Sequence, residues 1–229
     1  TIVRFRRFVF DREVGKEMIL NGSSEFIGEM ASAISMFAFN YVLMKYVGAD
    51  GVAAFTILGF VVYGYSMVCI GFGQGISPIV SICWGAKEKE TAIKIRSITN
   101  RILLAIGTLT ALSFFVAGKR YAEIFGCSNS IADMVATGFR IYAITFLVMG
   151  YDVTGSMYFT SCGDAKSSAI ISSLRGIVLL LAFILIFPAI FGMNGVWMAS
   201  PFAETLTSIV TFVLIRRQVR KNKEEENAR

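Results

Sequence analysis

Four carboxylates fall inside strongly apolar stretches of the 229-residue chain: Glu25, Glu29, Asp152 and Glu204. An ionisable group placed in lipid is costly and ordinarily faces a partner or a wet cavity. Glu25 and Glu29 are four apart and share one helix face. If their helix enters the membrane near Met18, Glu29 lies roughly 16 Å in and Glu25 about one turn shallower. Two such carboxylates can hold a proton, or share a small cation such as Na+ between their oxygens. A later helix start would leave Glu25 at the interface. Glu204 stands about eight residues into the last apolar run, near mid-depth, where an interhelical hydrogen bond is the alternative role. Asp152 sits beside Gly150, Thr154 and Gly155, with the same two readings open. The chain has no histidine. That removes serine-histidine and cysteine-histidine catalysis, histidine metal sites and histidine proton relays.

Around these acids lie uncharged polar and aromatic groups. Asn40 and Gln74 are interhelical hydrogen-bond formers or cavity walls. Phe37, Tyr63, Met67 and Tyr158 lie on the same apolar runs. Singly they read as packing residues, and together as a plastic cavity for flat organic cations. Arg140 and Arg175 lie nearer run ends and read as snorkelling or headgroup-pairing side chains. No nucleophile–base pair, P-loop or metal-ligand cluster occurs, so neither an enzyme nor an ATP-driven motor is expected from this chain, and no cofactor. Cys69, Cys83, Cys127 and Cys162 form no C-x-x-C pair and read as buried free thiols.

The elements that must position these groups are membrane helices. Hydrophobic residues make up 55% and charged residues 17%, with a mean hydropathy of +0.64, against about 45–50% and 25% in soluble domains. Six apolar runs are expected as transmembrane helices: Met18–Val47, Val52–Trp84, Ile98–Ala117, Ile131–Ser161, Ser168–Phe187 closed by Pro188, and Val196–Ile215. The fold class is therefore all-α, a polytopic integral membrane protein with a six-helix bundle. Segment 1–17 reads as a cytoplasmic connection, 18–215 as the bundle and 216–229 as a frayed cytoplasmic tail. The second and fourth runs exceed the roughly 20 residues that a span needs, so they must tilt, bend or project.

The formal charge of +6 suggests membrane topology rather than nucleic acid, because the basic residues flank the apolar runs. Arg4, Arg6, Arg7, Arg12 and Lys16 precede the first. Lys87, Lys89, Lys94, Arg96 and Arg101 follow the second, Lys166 follows the fourth, and Arg216, Arg217, Arg220, Lys221, Lys223 and Arg229 follow the sixth. The opposite side carries Lys45, Lys119 and Arg120. Both termini are expected to be cytoplasmic in the cell membrane. The chain begins at Thr1, without a signal-peptide pattern, and is expected to start inside a longer protein.

The second run contains "GFGQGISPIVSICWGAKE", with Gly71, Gly73, Gly75 and Pro78. Each such glycine costs a soluble helix about 1 kcal/mol and an interior proline about 3 kcal/mol. In lipid these residues read as packing notches and a bend between Gly71 and Pro78. The stretch resembles the glycine, glutamine, glycine and proline signature of the multidrug and toxic compound extrusion (MATE) transporters. "NGSSEFIGEMASAISMFAFN", followed by "YVGADGVAAFTI", is similar to the seventh helix and next turn of their bacterial, MepA-like branch. "YFTSCGDAKSSAIISSLRGIVLLL" resembles the segment joining the tenth and eleventh helices, including Arg175, and "FGMNGVWMASPFAETLTS" the lead-in to the twelfth.

The resemblance, from about residue 18 to 215, implies the C-terminal six-helix lobe of a twelve-helix fold, whose N-terminal lobe is a missing partner. It implies efflux of organic cations in exchange for Na+ or H+, with Glu29 as the nearest match to a cation-coupling acid of the seventh helix and Glu25 second. Asp152 matches imperfectly an aspartate that some members carry in the tenth. Competing readings are a lipid-linked oligosaccharide flippase of the same superfamily, which should be richer in arginine, a membrane enzyme or non-transporting scaffold, and a six-helix homodimer.

Overall fold

The computed structural model describes residues 11–227, apart from the side chains at 21, 24, 25, 27, 28, 31, 32, 223 and 225–227. Arg4, Arg6, Arg7 and Arg229 fall outside that range, and Glu25 lies outside the described side chains. Six long helices follow one another: α1 Arg12–Tyr46, α2 Ala49–Gly85, α3 Lys89–Ile124, α4 Asn129–Ser161, α5 Ala165–Phe191 and α6 Met193–Asn227. No strand occurs among the described residues. α2 to α6 are each long and apolar enough to cross a membrane. In lipid a helix satisfies its own backbone groups, which is why this composition resolves into helices alone. The protein is a multi-pass membrane protein.

The connections are tight, and each uses one residue at positive φ. Gly48, Gly126, Gly163 and Gly192 serve four of them, and Lys87, at φ 66°, serves the fifth. Gly192 decides a boundary that the sequence suggested elsewhere. Pro188 lies inside α5, and the helix ends at Gly192, whose φ of 57° turns the chain while its N–H donates to the Pro188 carbonyl. That left-handed turn suits a residue without Cβ.

Further boundaries differ from the expectation, and α3, at Lys89–Ile124, overruns both ends of the Ile98–Ala117 run. Asp11 caps α1, accepting from the backbone N–H of Glu13 and Val14, so the helix starts ahead of the apolar run. α6 continues past Ile215 through the basic segment to Asn227, where a frayed tail was anticipated. Arg220 and Glu224, one turn apart, form an ion pair there at 3.5 Å.

The core lies between α2, α3 and α4 and extends to Trp197 of α6. Close approach of α3 and α4 depends on Gly107, where a Cβ would overlap the Phe146 carbonyl and stand 2.6 Å from the Tyr65 hydroxyl. Tyr65 in turn donates to the Leu103 carbonyl at 3.2 Å. Phe39, Phe55 and Trp197 stack in series and tie α1, α2 and α6 together. All four cysteines are free, with Cys69 and Cys83 buried.

Gly71, Gly73, Gly75 and Pro78, the stretch expected to bend, all lie inside α2. α2 is an unbroken α-helix across that stretch. Of its glycines, Gly73 is a packing notch, since a Cβ there would run into the Met157 sulfur; Gly71 and Gly75 face open space within the described chain. A local departure from α-helical geometry lies in α5, where Leu174–Val178 form a π-turn. Such turns insert an extra residue into the helix and frequently accompany functional sites.

Candidate functional site

The π-turn swings Arg175 across to α6, where its Nε donates to Glu204 Oε1 at 2.7 Å. The turn is held from the other side by α1, whose Ser35 hydroxyl donates to the Gly176 carbonyl at 2.6 Å. Glu204 is almost wholly buried, and its Oε2 is without a hydrogen-bond partner among the described residues. Arg175 therefore corrects the sequence reading: it pairs inside the bundle rather than snorkelling to headgroups. An "LRG" sequence in an apolar run gives no local sign of a π-turn, and the turn is what aims the guanidinium inward. Arg140 is exposed.

Asp152 of α4 is fully buried. Its Oδ2 accepts from the Ser208 hydroxyl at 2.6 Å and its Oδ1 from the Thr211 hydroxyl at 2.9 Å, both from α6. Gly155 permits this, because a Cβ there would stand 2.6 Å from the Thr211 methyl and hold the helices apart. Two residues along α4, the Thr154 hydroxyl donates to Asn100 Oδ1 at 2.6 Å, tying α4 to α3. Among the described residues no lysine or arginine pairs directly with Asp152.

These acids surround one cavity of about 300 Å³. Glu29, Tyr63, Met67, Gln74, Asp152 and Glu204 line it together, with Arg175 beside them. A second cavity of about 240 Å³ adjoins it: Ser35, Tyr63, Ser66, Arg175 and Glu204 belong to both walls, and Phe39 and Phe55 add an aromatic side. The Arg175–Glu204 pair thus stands at their junction.

Other sequence candidates lie elsewhere. Phe37 is 75% exposed on the outside of α1. Asn40 donates to its own helix, to the Met36 carbonyl at 2.9 Å. Tyr158 is buried in a separate cluster, edge-on to Trp84 and under the Arg96 guanidinium. Gly71, Gly75 and Pro78 are not among the cavity residues, and Gly73 packs beneath its wall against Met157. Ser208, Thr211 and Ser35 were missed, because serine and threonine recur throughout the apolar runs and those that meet a carboxylate or a π-turn carry no sequence mark.

The lobe is a bundle of membrane helices with three carboxylates and one guanidinium on one cavity wall. The MatE family profile matches residues 26–187, and the chain belongs to that family of transporters. It is 26% identical over 189 residues to the probable multidrug resistance protein YoeA of Bacillus subtilis, covering 78% of this chain and 39% of that protein. It is 19% identical over 210 residues to the multidrug export protein MepA of Staphylococcus aureus, covering 90% of this chain and 45% of that one. The chain thus spans less than half the length of these curated relatives. Among solved structures, a MATE protein crystallised with MaL6 superposes with a TM-score of 0.84 at 22% identity, covering 97% of this chain and 50% of that one. An inward-facing MATE transporter of the MOP superfamily gives 0.82 at 20% identity, covering 95% and 50%. These likenesses establish the fold as half of the MATE architecture.

Proposed function

We propose that this chain is the C-terminal lobe of a secondary active multidrug exporter, in which an organic cation leaves the cell as Na+ or H+ enters. The observation that carries the reading is the gathering of Glu29, Asp152 and Glu204 on one cavity wall with a single compensating guanidinium. With every group ionised the lining is two charges negative, one guanidinium against three carboxylates. A cavity of that sign in a low-dielectric surround favours a bound cation or bound protons. Tyr63, Met67 and the neighbouring Phe39 and Phe55 add faces on which a flat cation can rest.

Antiport requires that the two cargoes compete for one site. Glu29 and Asp152 are the groups we assign to the coupling ion. Glu204, tied to Arg175, positions the wall between the two cavities. The partner is an N-terminal six-helix lobe, the setting is the cell membrane, and both termini face the cytoplasm on the basic side. An oligosaccharide-lipid flippase is disfavoured by the same lining, because its one arginine is already engaged by Glu204. The test is drug export by the full-length protein carrying Glu29→Gln. Loss of ion-driven export with the protein still folded and membrane-inserted is expected. Coupled transport at the wild-type rate would overturn the assignment of Glu29.

A further inference from the structure

A third cavity, of about 520 Å³, lies between α3, α4 and α6 on a different face of the bundle. Leu104, Leu147, Val148, Ile209 and Phe212 form its apolar side, and Leu104, Leu147, Ile209 and Phe212 are exposed. It is a groove open to the surface, within the roughly 300–1,000 Å³ range of ligand sites. The central cavity gathers carboxylates, whereas this one holds Arg101.

Arg101 lies in the basic N-terminal part of α3, just past Ile98, where the apolar run begins. It is exposed and has no ion-pair partner among the described residues. At the polar end of an apolar run a guanidinium is placed to meet an anionic headgroup. Two more arginines flank the groove toward the end of the bundle that carries the basic segments. The Arg216 guanidinium lies 4.3 Å from the centre of the Phe212 ring, and that of Arg96 lies 5.9 Å from the Tyr151 ring; both rings line the groove. Arg96 is buried between the Tyr151 and Tyr158 rings. The groove therefore combines apolar side chains exposed at the surface of this lobe with cationic groups in and beside it.

We propose that this groove binds an anionic phospholipid, its acyl chain along Leu104, Leu147 and Ile209 and its phosphate drawn to Arg101 and Arg216. Basic pockets between membrane helices recognise anionic headgroups in this way. Ser208, on the same wall, is the hydroxyl that donates to Asp152, so the lipid would sit one hydrogen bond from that carboxylate.

The test uses the full-length protein in bilayers containing phosphatidylglycerol or phosphatidylcholine with a photoreactive acyl chain. Labelled residues are mapped by mass spectrometry. The phosphatidylglycerol probe is expected to label α3, α4 and α6 around Leu104, Leu147 and Ile209, and phosphatidylcholine to label them much less. The paired change Arg101→Ala with Arg216→Ala should weaken capture roughly 30-fold, at about 1 kcal/mol per arginine. Leu147→Trp, which fills the groove and leaves the arginines in place, should also abolish it. Equal labelling by both lipids, capture that survives the arginine changes, or a groove shielded from either probe by the rest of the protein would each overturn the proposal.

Discussion

Breaking the Arg175–Glu204 pair should be lopsided. Glu204's side chain is 6% exposed and Arg175's 27%. Arg175→Met removes the donor to Oε1 while Oε2 already lacks a partner, leaving a buried carboxylate with neither oxygen bonded within the described structure. Breaking a buried pair in this way costs about 3–5 kcal/mol. Glu204→Gln keeps a carbonyl oxygen to accept from the guanidinium, which also reaches the cavity, so the loss is nearer one charged hydrogen bond, about 1.5–3 kcal/mol. Replacing both by methionine removes the orphaned charge and should recover part of what Arg175→Met loses. Reversible unfolding of the full-length protein in mixed micelles measures all three. A double methionine variant no more stable than Arg175→Met, or Arg175→Met milder than Glu204→Gln, would refute the reasoning.

Gly107→Ala should destabilise by about 1–3 kcal/mol, the usual cost of overpacking, because its Cβ meets the Phe146 backbone; Gly71→Ala, with open space there, should lose nothing in this lobe, and thermal melts of the two compare them directly. Ser35→Ala leaves the Gly176 carbonyl without its donor and should cost about 1–3 kcal/mol; unchanged stability would mean that α1 does not brace the π-turn. Tyr65→Phe removes one buried hydrogen bond and should cost about 1 kcal/mol. Asp152→Asn should keep the fold, since an amide still accepts from Ser208 or Thr211, but abolish ion-driven export in proteoliposomes; export at wild-type rate would remove Asp152 from the coupling assignment.

The six helices were legible because each apolar run is long and punctuated, and Gly48 and Gly163 stood just past the ends of the first and fourth runs. The boundaries were less so. Pro188 suggested a stop, but a helix packed in lipid tolerates proline and the turn needed Gly192. The acids of the cavity were legible one at a time, since a carboxylate in an apolar run stands out. Their convergence was not, because it depends on which faces of α1, α4 and α6 meet. Tyr158 and Phe37 show the same limit: aromatic type says nothing about whether a face turns to the cavity, to the core or to lipid. Arg175 was misread because the π-turn that redirects it has no local signature.

Competition between cargoes tests the central claim most directly. Ethidium binding to the full-length protein would be followed by fluorescence polarisation while Na+ concentration and pH are varied. We expect Na+ or protons to displace ethidium from the wild type, and that displacement to be lost in the double variant Glu29→Gln with Asp152→Asn. Ethidium binding that ignores both ions in the wild type, or displacement that persists in the double variant, would contradict a shared site built on these carboxylates.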